Sequence, residues 1–328
     1  MNLVEKAVLQ GGKLAPLVIP NAIGAMNPSV FIDDDGDILV NVRVVNYTLY
    51  HSENNQRFPS RWGPLSYLHP EKDQRLVTEN YVCRLNSELV MTDSAKVEML
   101  ELHAPQWEFV GLEDARLVQW DGIYYLVGVR RDMDTIGTGR MELTEVEIDK
   151  DNFFVREISR KRIPAPAPDT SYCEKNWYPV NDKPYHFIKW TMPTELVYVK
   201  EETQQVFVRE TITPPADQRG SSHLIRWGNH YISISHEVNL FKNYLQQKDA
   251  IYRHRLILWD EQLNIVGLSK PFSFLDACIE FCVGAAKLGD DLLLSFGFQD
   301  NAAFILRVPN LVVEDLILTT NRCFWMDS

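Results

Sequence analysis

Gly111-Leu112-Glu113-Asp114-Ala115-Arg116-Leu117 runs directly into Trp120-Asp121-Gly122-Ile123-Tyr124-Tyr125-Leu126-Val127-Gly128-Val129. Two carboxylates and a guanidinium stand at the head of a hairpin. An Asp-Gly turn follows, then a run of aromatic and β-branched residues that reads as a strand. Charges in such a place need partners or water if the fold buries them, so they form either a structural ion pair or the lining of a site. The same layout recurs along the chain, and that recurrence decides the fold.

Asn27-Pro28-Ser29-Val30-Phe31-Ile32 leads through Asp35-Gly36-Asp37 into Ile38-Leu39-Val40-Asn41-Val42-Arg43. Glu174 to Val180 turns at Asn181 to Pro184 into Tyr185 to Trp190, and Arg219 to Ile225 turns at Gly228-Asn229 into Tyr231 to His236. Ile279 to Gly284 turns at Gly289-Asp290 into Leu292 to Gly297. Plainer hairpins follow, such as Leu196-Val197-Tyr198-Val199 with Gln205-Val206-Phe207-Val208, and Ala303 to Leu306 with Leu311 to Val313. Strands counted in fours, repeated about five times with almost no helical period, predict an all-β fold, a five-bladed β-propeller. A pair of β-sandwiches is the rival, but it does not explain a polar motif in each unit.

The expected organisation is a single domain over 1–328, with blades at roughly 20–100, 105–160, 170–212, 217–270 and 275–318. The long 47–79 connection either covers the channel mouth or decorates the edge, where it would serve as an oligomer contact. Glu237 to Ala250 is a second long connection and reads as a short helix. Asn27, Asp114, Lys175, Arg219 and Glu280 each precede their own hairpin turn by a similar stretch of chain. Pseudo-symmetry should bring them together near one end of the central channel, and an amide, two acids, an amine and a guanidinium converging there look like a site. Arg43, Lys189, His236 and Asp300 lie beyond the turns and add to it. Arg43, Lys175, Arg219 and His236 make a basic cluster suited to phosphate or another anion. The plain alternative is that they neutralise Glu113, Asp114, Glu237 and Glu280.

That cluster stands out because the chain is acidic, with a formal net charge of −12 over 328 residues. Such a balance argues against nucleic acid or an anionic membrane as partner. No apolar stretch reaches membrane-spanning length. Five cysteines, odd in number and without zinc-type pairs, together with a first segment lacking an apolar signal core, point to a reduced cytoplasm. No metal motif is visible.

Taken in order, these motifs resemble glycoside hydrolase family 130, the five-bladed propellers of β-mannoside phosphorylases and hydrolases, and the related mannosyltransferase/phosphorylase propellers. The resemblance spans roughly residues 20 to 310. Asn27-Pro28 and Arg43 match a first-blade Asn-Pro and a following Arg that touch sugar. Gly111 to Arg116 matches Gly-x-Glu-Asp-Pro-Arg, whose Asp is the general acid, so the resemblance makes Asp114 the acid with Glu113 and Arg116 beside it. Lys175-Asn176 resembles a stretch that helps to hold phosphate. Arg219 stands where the family has a phosphate-binding Lys, and His236 matches its His-Gly-Val histidine. Asp300 matches a late Gly-x-x-Asp that binds the sugar ring. Three departures are Ala115 for Pro, Glu237 for Gly and Arg219 for Lys.

The resemblance implies a carbohydrate-active enzyme that cleaves or transfers glycosyl groups, β-mannosyl above all, from an oligosaccharide or glycoside. Inverting phosphorolysis is the leading expectation, with Asp114 as general acid and Lys175, Arg219 and His236 holding inorganic phosphate as co-substrate; no other cofactor is needed. Asn27, Arg43, Glu113, Arg116, Asn176 and Asp300 would bind substrate. Hydrolysis would instead need a base, for which Glu237 and Glu280 are the candidates. A sugar-nucleotide transferase and a non-catalytic glycan-binding propeller are the remaining alternatives. Enclosure and a neighbouring Glu113 or Glu280 should raise the Asp114 pKa, while the basic cluster opposes the rise.

Overall fold

A computed structural model describes residues 1–50, 58–59, 66–68, 75–166, 171–190, 194–200, 203–209, 218–242 and 248–319. Its blade strands form five antiparallel units, each ordered from the centre outward, and the outer strands of the first two also meet in parallel, Val155 opposite Val97. The first blade is Gly24–Ile32, Ile38–Val45, Leu76–Leu85 and Met91–Glu98; the second is Leu112–Trp120, Ile123–Arg130, Arg140–Asp149 and Phe154–Arg162. The third is Tyr178–Pro179, His186–Trp190, Thr194–Lys200 and Thr203–Arg209. In the fourth, Arg219–Gly220 and Ile225–Trp227 share the innermost place, followed by His230–Lys242, Lys248–Trp259 and Ile265–Leu268. The fifth runs Glu280–Leu288, Asp291–Phe298 and Ala302–Val308. The architecture is the five-bladed propeller that the repeated hairpins predict.

Its fourth outer strand comes from the other end of the chain. Lys13–Pro16 pairs antiparallel with Ala302–Val308, Lys13 opposite Arg307. Leu311 to Val313, expected to be that strand, lie in the helix Asn310–Leu318, where Val312, Val313 and Leu316 face inward at helical spacing. They pack with Leu3, Val4 and Ala7 of the helix Leu3–Leu9. Glu237 to Ala250 also departs from expectation: it extends a long hairpin, with Leu240 opposite Ala250 and Lys242 opposite Lys248. Within the 47–79 connection, Thr48–Tyr50, Phe58–Pro59 and Ser66–Leu68 form a small sheet. Its relation to the channel mouth lies outside the described residues. Among them, no helix is long and apolar enough to cross a membrane.

Strands near the axis are largely apolar because a blade covers each face. Ile38–Val45 is buried at every position. Phe31, Leu39 and Val82 of the first blade share one core with Leu117 and Val127 of the second and Phe187 of the third. The first and fifth blades meet more closely still: a Cβ at Gly284 would stand 2.2 Å from the Val30 nitrogen. Behind the site the channel is filled. Leu117 N donates to Ser29 Oγ at 3.1 Å, and His223 Nε2 lies 2.9 Å from the Leu117 carbonyl oxygen.

Candidate functional site

Two left-handed bulges build the site. The first-blade ladder slips between Met26 and Ser29, and Asn27 takes φ 47°. The second-blade ladder slips between Glu113 and Arg116, and Asp114 takes φ 49°. Asn and Asp tolerate this backbone region better than other side chains, and a bulge re-aims the residue that it carries. Asn27 Nδ2 donates to Asp114 Oδ1 at 2.8 Å. Gly297 makes room for this, since a Cβ there would lie 2.2 Å from Asn27 Oδ1.

Arg43 completes the grip. Its Nη1 donates to Asp114 Oδ1 at 2.8 Å and its Nη2 to Glu113 Oε2 at 3.1 Å and Tyr47 Oη at 2.8 Å. Its Nε donates to Thr78 Oγ1 at 3.1 Å. With all three nitrogens engaged, Arg43 holds the acids, whereas the resemblance had it touching sugar. Asp114 Oδ2 takes no hydrogen bond from the described residues, and 16% of this side chain stays exposed. Burial pushes the Asp114 carboxyl up, but the Arg43 charge, the Asn27 donor and Arg116 outweigh it and hold the pKa below the ordinary value. That reverses the rise expected for a resting acid. Glu113 Oε1 is buried without a hydrogen-bond partner among the described residues.

Arg116 was expected at the substrate, yet it is only 1% exposed. Its Nη1 donates to the Asp114 carbonyl oxygen at 2.7 Å, while Nε and Nη2 donate to the Ser221 carbonyl oxygen at 3.1 and 2.8 Å. Burial draws its pKa down to about 10 against the pull of Asp114. Arg116 therefore pins the bulge from behind and ties the second blade to the fourth.

Across the channel, Arg219 pairs in register with His236. His236 stacks on Tyr252 with centroids 5.6 Å apart, meets Phe281 edge-on at 4.8 Å, and has its Nδ1 3.3 Å from Ser221 Oγ. Burial above all, with the charges of His254, Arg219, Arg116 and Lys175 behind it, holds the imidazole well below its usual pKa. Lys175, Arg219 and His236 thus share one electrostatic neighbourhood. His236 is neutral there, which corrects its expected role as a cation: it offers a hydrogen bond. Lys175 is exposed on the lead-in to Tyr178–Pro179. Asn176 takes φ 61°, and its carbonyl closes onto Gly220, where a Cβ would lie 2.0 Å from it.

Asp300 sits at a left-handed turn position, φ 50°. Burial first, and then the charges of Asp300 and Asp114, push up the phenols of Tyr252 and Tyr47. Both tyrosines belong to the site and were not singled out from the sequence. The available signals were position: Tyr47 lies just beyond the strand carrying Arg43, and Tyr252 pairs with Val238, two residues beyond His236.

Two expected residues lie elsewhere. Glu237 alternates to the face opposite His236, where its Oε2 accepts from Gln218 Nε2 at 2.8 Å and Arg255 Nε at 3.2 Å. Glu280 accepts from the backbone N–H groups of Phe274, Leu275 and Ala277 at 2.7, 2.7 and 3.0 Å. It is fully buried, and burial raises its pKa. Each carboxylate serves its own surroundings, which corrects the expectation that one of them activates water. Among the described residues no group of His, Cys, Asp and Glu is arranged to hold a metal.

Solved structures share this architecture. The β-1,2-mannobiose phosphorylase from Listeria innocua superposes with a TM-score of 0.54 and 13% identity, over 93% of this chain and 97% of that one. A structure described for the GH130 family of mannoside phosphorylases, as containing glycoside hydrolases that target β-1,2 mannosidic linkages in Candida mannan, gives 0.58 and 12% identity, over 87% and 84%. The chain has a GH130-like fold. No protein-family model matches the sequence. No curated protein matches it either. Within the GH130-like fold, Asn27 and Asp114 lie on the innermost strands of the first two blades with Arg43 on the second strand of the first, and the Arg219–His236 pair joins the two inner strands of the fourth.

Proposed function

We propose that this chain is a carbohydrate-active enzyme that cleaves β-mannosidic linkages by inverting phosphorolysis, with Asp114 as general acid. The observation that carries the reading is the asymmetry of Asp114: Oδ1 is fixed by Asn27 and Arg43, while Oδ2 takes no donor from the described residues. A carboxylate held by one oxygen is oriented to work with the other. The fold shared with a β-1,2-mannobiose phosphorylase supports the substrate class.

Phosphate as nucleophile needs no base, only donors to hold it in line. Lys175 and Arg219 would supply charge, and neutral His236 would donate a hydrogen bond. The two acids that favoured water, Glu237 and Glu280, already have their own donors, which leaves phosphate as the better-supported nucleophile. Asp114 is ionised in the free protein. The glycosidic oxygen must still receive a proton, so the Asp114 carboxylate has to take one up on forming the complex. Bound phosphate screens the Lys175 and Arg219 charges, and the sugar excludes water; both shift Asp114 toward its protonated form. By resemblance to the GH130 family, a sugar hydroxyl would relay the proton and Asp300 would orient the ring.

The test is incubation with β-1,2-mannobiose and other mannobioses, with and without inorganic phosphate. Mannose 1-phosphate formed only with phosphate is the expected outcome. Free mannose in both arms would make the enzyme a hydrolase. Turnover only from a nucleotide sugar would make it a transferase, and binding without any turnover would make it a lectin.

A further inference from the structure

A cavity of about 850 Å³ opens between the first and second blades, separate from the Asp114 site. Thr78, Gly111, Arg130 and Asp132 lie at its base, and the 99–105 segment forms one wall. Its polar base is buried and incompletely satisfied. Arg130 and Asp132 are 5% and 1% exposed. Arg130 Nε donates to both oxygens of Glu142 at 2.9 and 3.0 Å, and Asp132 Oδ2 accepts from Gly111 N at 2.9 Å. Arg130 Nη2 and Asp132 Oδ1 have no hydrogen-bond partner among the described residues. His103 Nε2 lies 3.8 Å from that same Asp132 oxygen, too far for a hydrogen bond.

Arg130 Nη1 lies 3.5 Å from Asp132 Oδ2, and an unpaired donor and an unpaired acceptor on two such neighbouring side chains suit a group that both accepts and donates, which is a hydroxyl. The charges around the cavity disfavour an anion, because its basic groups are matched while Glu98, Glu101 and Asp132 add negative charge. Lys96 is matched by Glu79, Arg160 by Glu157, and Arg130 by Glu142. Leu100 and Leu102, 40% and 62% exposed, give an aliphatic wall of the kind that packs on the C–H face of a sugar ring. The volume lies within the range of small-ligand sites. We propose that this cavity is a second binding site, for a neutral oligosaccharide, with one hydroxyl seated among Arg130 Nη2, Asp132 Oδ1 and His103 Nε2. The ligand class follows from the cavity's own chemistry and stands apart from the catalytic reading. The site is nevertheless one side chain from Asp114, because Thr78 in its base accepts from Arg43 Nε.

The test is a calorimetric titration of the full chain with mannotriose, cellotriose and maltotriose, paired with crystal soaks. One of these should bind with density over Arg130 and Asp132. His103→Ala and Leu102→Asp should each weaken that binding at least tenfold while leaving turnover of mannobiose unchanged. Asp132→Asn should do the same, but it also loosens Gly111, so the first two variants carry the test. Binding that is unaffected by both variants, or soaked crystals with only water between Arg130 and Asp132, would overturn the proposal. If the catalytic reading fails instead, mannobiose is not turned over, yet the variants still weaken saccharide binding.

Discussion

Asn27 and Asp114 occupy the same bulge position in neighbouring blades and are joined by a 2.8 Å hydrogen bond from Nδ2 to Oδ1. Pseudo-equivalent residues from two repeats have become donor and acceptor of one pair. The acid is thereby oriented from outside its own blade. Asn27→Ala removes the donor and leaves Arg43 alone on Oδ1. Turnover should fall about 10²-fold, in the range typical of losing one charge-assisted contact that positions a catalytic group. Asp114→Asn should lose most turnover and keep sugar affinity within a few fold; steady-state kinetics and calorimetry on the two variants check both statements.

Gly297→Ala reaches the same pair indirectly. The new methyl would meet Asn27 Oδ1 at 2.2 Å, and the Asn27 nitrogen at 2.8 Å prevents retreat. The expected result is a large loss of kcat with a melting temperature only a few degrees lower. Wild-type kcat in a folded Gly297→Ala protein would show that Asn27 does not orient the acid.

Glu237→Gln and Glu280→Gln separate phosphorolysis from hydrolysis. Glu237 is paired with Arg255, so Glu237→Gln should stay within about threefold of wild-type kcat, as expected away from the reacting atoms. Glu280→Gln should cost stability, roughly 1–3 kcal/mol, by placing an amide against three backbone donors. A drop of a thousandfold in Glu237→Gln would restore water as the nucleophile.

Acid should destabilise the ring through its buried histidines. Burial first, with Arg116 and Arg253 nearby, pushes His223 and His254 each down to about 3 from 6.5. A depressed folded pKa means that the unfolded chain binds protons the folded one refuses. The stability these residues provide is therefore complete above pH 6.5 and is lost progressively as pH falls toward 3. The melting temperature should drop steeply across that window, and His254→Gln should flatten the drop. Equal slopes in variant and wild type would point to other groups.

Lys150 makes a different kind of bond between blades. Its Nζ lies 2.6, 2.7 and 2.9 Å from carboxylate oxygens of Asp33, Asp35 and Asp37, all in the turn of the first blade. Lys150→Met would leave three acids facing one another and should lower stability by roughly 1–3 kcal/mol, with Asp33 dominating because its side chain is fully buried. Turnover should be unaffected, since the turn lies at the opposite end of the strand from Asn27. Thermal melts and kinetics on the same preparation test the separation.

The blade count, the strand pairs and the convergence of Asn27, Asp114, Arg219 and His236 were legible because hairpin signals and polar motifs repeat at the same place in each unit. The closing strand was not: Lys13–Pro16 carries four residues and no turn of its own, so its partner about 290 residues later leaves no local trace. Glu280 illustrates a second limit. Its spacing matches the other site residues, but spacing along a strand does not reveal that a preceding loop offers three N–H groups. Arg43 and Arg116 illustrate a third. Both read as ligand-facing cations, and only the packed bulges show that they spend their donors on Asp114, Glu113 and Ser221.

The pairing of Lys13–Pro16 with Ala302–Val308 has a consequence for how the molecule is made. During synthesis the segment that clasps the ring leaves the ribosome about 290 residues ahead of its partner and must wait for it to emerge. Blades one to four can each zip from local hairpins. The last step joins segments far apart in sequence, so it bears the largest loop-closure entropy and comes late. Until then the unpaired edge of Ala302–Val308 stands open to any other strand, including one from a second nascent chain.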